Sequence, residues 1–265
     1  KNAAGIYVAK YWKNGNEVNL TNGSQHSIAY CIKKVNNLIV VGGYSIYNGI
    51  SSATIWQNGI QRRIDNSNNI SYINSIEIVS ENGVVALGEV IDSQNDIIRG
   101  VYYGIPLNNS NINGVYLANS NTYLRISGAK FISQLDRLVY YGSEKNANGK
   151  EVACYSGQVL QTRNYITDGG YDAKATDLAY HNNIFYFSGY EKNANNKNVA
   201  KYWKDNTPFS LSDGTKDAYA SGIVVSNNDV YVCGHDDSKA VFWKNGAKTQ
   251  LAKNTSEANS IIVVN

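Results

Sequence analysis

The sequence predicts an all-β fold, a six-bladed β-propeller of four-stranded antiparallel blades. Three observations predict it. First, the hexapeptide VAKYWK stands at Val8–Lys13 and again at Val199–Lys204, with related flanks in KNAAGIYVAKYWK and KNANNKNVAKYWK. Looser copies are SATIWQNG at Ser52–Gly59 and KAVFWKNG at Lys239–Gly246. Second, the aromatic of that slot recurs at Trp12, Trp56, Tyr103, Trp203 and Trp243, with Ser156 as a degenerate case. These positions define six repeats of about 46 residues, the length of a propeller blade. Third, Val, Ile, Tyr and Phe dominate short runs bounded by Asn and Gly, and no segment sustains a helical apolar period.

The unit beginning at Ser27 shows the elements in order. Its runs are SIAYCIKK, LIVVGGYS, SATIWQNG and the short IQRRI. Asn36-Asn37 separates the first two, and the equivalent turns are Asn82-Gly83, Leu135-Asp136, Asn182-Asn183 and Asn227-Asn228. Asn and Gly tolerate the positive φ of tight hairpins, and the NG of WKNG serves the third and fourth runs in the same way. Residues alternate between two faces along a strand, and both faces of a blade meet neighbours. Trp12, Trp56, Trp203 and Trp243 are therefore expected to be buried packing residues. One domain spans 1–265. The chain opens in the loop before a third run and closes on ANSIIVVN, a first-run match. One second-type run is thus missing: either that run lies outside these 265 residues, or one blade is incomplete or closed by both termini, or a partner strand fills the gap at its edge.

Bulk properties narrow the function. The 265 residues carry a net charge of +3 with dispersed Lys and Arg, which argues against a nucleic-acid partner. No apolar run approaches the ~18 residues of a membrane span. The chain lacks an initiator Met and an export signal, as a processed or trimmed form would. Cys31, Cys154 and Cys233 follow no metal-ligand spacing and sit in apolar runs, as small buried hydrophobes do. No cofactor or metal site is expected: His26, His181 and His235 form no HExxH or HxH pattern, and no P-loop, dinucleotide or GxSxG motif occurs.

The run LIVVGGYS, a variable loop and a strand with an aromatic resemble kelch-type repeats. The fuller pattern VYVCG, loop, AVFWKNG resembles the YWKNG repeats of exported bacterial β-propeller proteins. The resemblance covers nearly all of the chain and implies a propeller fold outside the cytoplasm, with nothing about chemistry.

Without a catalytic constellation, the expected function is a non-enzymatic extracytoplasmic binding module for a glycan or an extracellular protein. The alternative is a glycan-processing enzyme on a propeller scaffold. Loops joining second to third runs share a face with the loops entering the next blade, and function concentrates on such loops. They carry the candidate ligand residues Tyr44, Glu144, Tyr190, Glu191, His235 and Asp236, with His26, Asp172, Asp217 and Tyr219 from the entry loops.

Overall fold

The computed structural model describes residues 1–81, 83–92, 97–106, 113–117, 123–157 and 163–264. The protein is all-β, with propeller-type blades in which consecutive strands pair antiparallel. It divides into two compact units, Lys1–Leu138 and Val139–Asn265. β1 (Lys10–Lys13) and β2 (Asn16–Asn19) form a sheet of two strands. Five four-stranded sheets follow in sequence order. They are β3 (Ser27–Val35), β4 (Leu38–Tyr47), β5 (Ile50–Gln57) and β6 (Ile60–Arg63); then β7 (Ile70–Ser80), β8 (Gly83–Asp92), β9 (Ile97–Pro106) and β10 (Asn113–Tyr116). The third is β11 (Leu124–Ile132), β12 (Arg137–Lys145), β13 (Glu151–Ser156) and β14 (Asn164–Tyr165). The last two are β15 (Ala173–His181), β16 (Ile184–Lys192), β17 (Asn198–Lys204) and β18 (Thr207–Ser210); then β19 (Ala218–Ser226), β20 (Asp229–Asp236), β21 (Lys239–Lys244) and β22 (Ala247–Gln250).

The turn chemistry is as the sequence predicts. Asn36, Asp136, Asn182, Asn183, Asn227 and Asn228 all have positive φ, as do Asn14, Asn58 and Asn245 of the WKNG-type hairpins. Asn82 lies outside the described residues, as do residues 93–96 of the expected GEVIDSQNDI loop.

One backbone device recurs in both units. The first strands β3, β7, β15 and β19 each shift register at a bulge, between Ala29/Cys31, Ile73/Ser75, Ala175/Asp177 and Ala220/Gly222. Beside it, the glycine of each second strand lies against a first-strand carbonyl. A Cβ on Gly43, Gly88, Gly189 or Gly234 would sit 1.9–2.0 Å from the oxygen of Ile28, Tyr72, Lys174 or Tyr219. That close approach accounts for the glycine that each of these second runs keeps at this position. Side chains at the bulge then bridge to the next blade. Asn74 Nδ2 donates to the Ile126 carbonyl at 2.7 Å, and Thr176 Oγ1 to the Ala220 carbonyl at 2.7 Å.

The core lies between blades within each unit. Ile55, Ile73, Ile76, Val84, Ala86 and Tyr103 form one cluster, and Ala200, Ala220, Val232, Val241 and Trp243 another. The tryptophan expectation divides here. Trp56, Trp203 and Trp243 are 0–1% exposed, whereas Trp12 is 63% exposed. The difference follows from pairing. Val41, Phe187 and Val232 of the second strands stand opposite the three buried rings, and among the described residues β1 pairs only with β2. Cys154 and Cys233 are buried and Cys31 is partly so; burial raises their thiols to about 12, about 11 and about 12 respectively.

Candidate functional site

The bulge and the glycine beside it set up one layer of side-chain pairs. The residue before each bulge and the residue after each glycine stand opposite one another: Ile28 and Tyr44, Tyr72 and Glu89, Lys174 and Tyr190, Tyr219 and His235. Three of the expected ligand residues, Tyr44, Tyr190 and His235, occupy the second-strand member of this layer.

In the first unit the layer holds an acid. Tyr72 Oη donates to Glu89 Oε2 at 2.5 Å, and Glu89 Oε1 accepts the N–H of Ile126 at 3.0 Å. Glu89 is 3% exposed and lies in the otherwise apolar run VVALGEVI, while Tyr72 is half-buried. Burial pushes the Tyr72 phenol well above its ordinary value; the Glu89 charge and hydrogen bond push it the same way, and the Arg125 charge opposes them. The phenol therefore stays protonated and donates to the carboxylate. Arg125 Nε donates to Tyr123 Oη at 2.6 Å.

Two more phenols adjoin this pair. The Tyr30 ring lies 6.2 Å from Tyr72 and 6.0 Å from Tyr44, and is more than half exposed. Burial first, then a neighbouring phenol, raises both: Tyr44 acts on Tyr30, and Tyr7 acts on Tyr44. A cavity of about 160 Å³ opens in the same unit, lined by Thr21, Asn22, Gln25, Ser27, Ser45 and Tyr47 among others. Gln61 Nε2 donates to Tyr47 Oη at 2.7 Å and Ser45 Oγ at 3.2 Å, and Thr21 Oγ1 is buried with no hydrogen-bond partner among the described residues.

The second unit gathers Tyr190, Tyr219 and His235. The Tyr190 and Tyr219 rings meet edge-on at 4.9 Å, and His235 lies 4.8 Å from Tyr219. Asn198 Nδ2 donates to Tyr219 Oη at 2.5 Å.

The remaining expected residues fasten the backbone or pair with cations: His26, Asp172 and Asp217 from the entry loops, and Glu144, Glu191 and Asp236 from the ends of second strands rather than from the loops expected to carry them. His26 Nδ1 accepts the N–H of Tyr7 at 3.0 Å, Asp172 Oδ1 that of Glu151 at 3.1 Å and Asp217 Oδ1 that of Asn198 at 2.9 Å. These are one position of the repeat, each fastening the start of a third strand to the entry loop. Glu144, Glu191 and Asp236 each pair with a cation: Arg163 at 3.0 Å, Lys201 at 2.5 Å and Lys248 at 2.7 Å. The NANG-type loops are tied as well. Asn2, Asn146 and Asn193 each donate to a glycine carbonyl, of Gly23, Gly169 and Gly214, at 3.0, 3.1 and 2.8 Å. Among the described residues no group of three or more His, Cys, Asp or Glu is placed to hold a metal, and no helix is long and apolar enough to cross a membrane.

No protein-family model and no curated protein matches the sequence. Solved structures do match. A Trypanosoma rangeli sialidase in complex with sialic acid aligns with a TM-score of 0.37 and 9% identity, covering 92% of this chain and 56% of that one. A sucrose-6-phosphate hydrolase from Lactobacillus gasseri aligns with a TM-score of 0.46 and 10% identity, covering 85% and 61%. Sqt1 from Chaetomium thermophilum aligns at 0.45 and 12%, covering 86% and 62%. The chain thus spans 56–62% of the length of these structures. The expectation of a non-enzymatic binding module is corrected. Two of the three matched structures bear enzyme names, a sialidase and a sucrose-6-phosphate hydrolase, and the structure brings together a phenol and an acid, Tyr72 and Glu89, that sequence reading did not pair. Sequence reading missed that pair because its members are 17 positions apart and a bulge sets their register. The signal that could have exposed it is the lone acid in VVALGEVI.

Proposed function

We propose that this chain is a glycan-processing enzyme in which Tyr72 is the nucleophile and Glu89 its base. The observation that carries the reading is the 2.5 Å hydrogen bond from Tyr72 Oη to a nearly fully buried carboxylate. A nucleophile within hydrogen-bond reach of a base, itself oriented by a third group, is the arrangement covalent catalysis requires. Here the third group is the Ile126 N–H. Glu89 takes the phenolic proton as Tyr72 Oη bonds to the anomeric carbon. The bond to the aglycone oxygen breaks, and that oxygen takes a proton from solvent. Water then attacks the same carbon, the bond to Tyr72 breaks, the phenolate recovers its proton from Glu89, and the water's proton leaves to solvent. The sum is hydrolysis of one glycosidic bond. The exposed Tyr30 ring and the hydroxyl- and amide-lined cavity suit sugar faces and sugar hydroxyls. Extracellular glycans are the substrates this reading favours, in keeping with the expected extracytoplasmic location.

A panel of glycans labelled at the reducing end tests this. Turnover of at least one glycan is expected, falling by about 10²–10⁴-fold in Tyr72→Phe and Glu89→Gln. Turnover that survives both substitutions, or a panel left intact, overturns the assignment.

A further inference from the structure

The sheet β3–β6 breaks the charge pattern of three other blades at one place, and a cavity opens at the break. In β12, β16 and β20 the residue four places beyond the partner of the Trp slot is an acid. These acids, Glu144, Glu191 and Asp236, pair with Arg163, Lys201 and Lys248. In β4 that position is Ser45, four places beyond Val41, the partner of Trp56. Lys248 stands opposite Trp243 on the fourth strand, and Gln61 takes the same place opposite Trp56. Thr54 stands where Lys201 does, two residues before the Trp. Acid and cation are both gone. Gln61 Nε2 instead donates to Ser45 Oγ at 3.2 Å and to Tyr47 Oη at 2.7 Å.

The cavity of about 160 Å³ is lined by Ser45, Gln61, Tyr47, Ser27 and Thr21 among others, and no residue lining it ionises near neutral pH. Thr21 departs from its repeat as well. The equivalent hydroxyls of Ser71, Thr167, Ser212 and Ser256 each accept a third-strand N–H, from Ala53, Ala153, Ala200 and Ala240. Thr21 Oγ1 is buried without a hydrogen-bond partner among the described residues. The strand frame beside it is intact, since the Leu20 N–H donates to the Ala9 carbonyl at 2.8 Å as that of Leu211 does to Ala200. A buried hydroxyl left unpaired is costly, and a ligand hydroxyl in the cavity would satisfy it.

The cavity is separate from the Tyr72–Glu89 pair. Val41 and Trp56 pack on Ala9 and Leu20, and by alternation Ser45 and Tyr47 share that face of the sheet. Tyr44 stands on the other face, toward Tyr30 and, beyond it, Tyr72.

We infer that this cavity is a binding site for one neutral sugar residue, distinct from the residue attacked by Tyr72. The kind of ligand rests on the glycan reading above; the site itself does not need Tyr72. Hydroxyls and amides of the lining meet sugar hydroxyls, and the volume suits one ring rather than a chain. A carboxylated sugar would find no counter-charge in the lining.

The probes are the methyl glycosides of glucose, galactose, mannose and N-acetylglucosamine, with methyl glucuronide as the charged control, each titrated calorimetrically into the whole chain. Saturable binding of at least one neutral glycoside is expected, at least about tenfold tighter than that of the glucuronide. Ser45→Asp together with Gln61→Lys rebuilds the pair seen at Asp236 and Lys248, and should abolish binding. Thr21→Val should weaken binding about 2–10-fold while holding or raising the melting temperature of the free protein, because it removes an unpaired hydroxyl. Tyr72→Phe should leave binding unchanged, so a chain that binds here and hydrolyses nothing refutes the nucleophile assignment alone. The absence of binding by every neutral glycoside overturns the proposal, as does equal binding of the glucuronide. Loss of binding in Tyr72→Phe, or binding that survives both the rebuilt pair and Thr21→Val, overturns it too.

Discussion

The side-chain amide of Asn193 donates to the carbonyl of Gly214 at 2.8 Å, and a Cβ on that glycine would stand 2.7 Å from the same nitrogen. Asn193 Oδ1 also accepts the N–H groups of Asn195 and Lys197. One side chain therefore closes its own loop and fastens the loop to the entry of the next blade. Gly214 has φ +72, the left-handed region that disfavours an L side chain. Gly214→Ala should thus lower stability by about 2 kcal/mol, from backbone strain and the displaced amide together. Asn193→Ala should cost a similar amount by leaving three backbone groups unpaired. Urea titrations of the two variants and of the double variant check this. The double variant should lose less than the sum, because both changes break one fastening.

Glu89 has two duties that substitution can separate. It accepts a hydrogen bond from Tyr72 at one oxygen and from Ile126 N–H at the other. Glu89→Gln keeps an acceptor for Ile126 and should leave stability within about 1 kcal/mol of the parent, while removing the base. Glu89→Ala leaves the buried N–H and the half-buried phenol without their acceptor, and should cost about 2–4 kcal/mol. Equal destabilisation of the two variants in urea titrations would contradict a Glu89 carboxylate shared between Tyr72 and Ile126.

The blades were legible because their causes are local and repeated. Positive-φ Asn at Asn36, Asn182 and Asn227, the NG hairpins and the alternating apolar runs each state their structure within a few residues. The exposed Trp12 was not legible from its own hexapeptide, which is identical at Trp203; its burial depends on a strand from elsewhere in the sequence. Of the candidate layer, the sequence named neither Tyr72 nor Glu89. Tyr44, Tyr190, Tyr219 and His235 fall in the layer made by bulge and glycine, but His26, Asp172 and Asp217 proved to be fasteners of third strands. Entry-loop polarity alone does not distinguish a side chain facing a ligand from one receiving a backbone N–H.

Asp217 makes the protein acid-sensitive in a defined direction. The hydrogen bond from the Asn198 N–H lowers its pKa below the ordinary 3.8, with burial opposing and Lys197 assisting. The folded-state value lies below the unfolded one. Its contribution is therefore fully present above the unfolded value and is lost as pH falls through the folded one. Asp172 acts in the same sense: burial would raise it, but the Glu151 N–H and Lys192 outweigh burial. Melting temperatures should hold level down to about pH 4 and then fall. In Asp217→Asn the plateau should be lower and the fall shallower, so that the two curves converge in acid. Parallel curves would show that Asp217 makes no such contribution.

Trp12 and Trp243 test how far neighbouring strands, rather than the residue itself, set the worth of an aromatic. Trp243 is fully buried, paired with Lys248 of β22 on one side and Val232 of β20 on the other. Removing its ring opens a cavity between rigid strands, and Trp243→Ala should cost about 3–5 kcal/mol. Trp12 has the same motif around it but only Glu17 of β2 opposite, and its ring remains mostly in water. Trp12→Ala should change stability by no more than about 0.5 kcal/mol. Denaturant titrations of the two variants read the contrast directly. A cost for Trp12→Ala near that of Trp243→Ala would mean that the Trp12 ring is covered in solution, contrary to its 63% exposure.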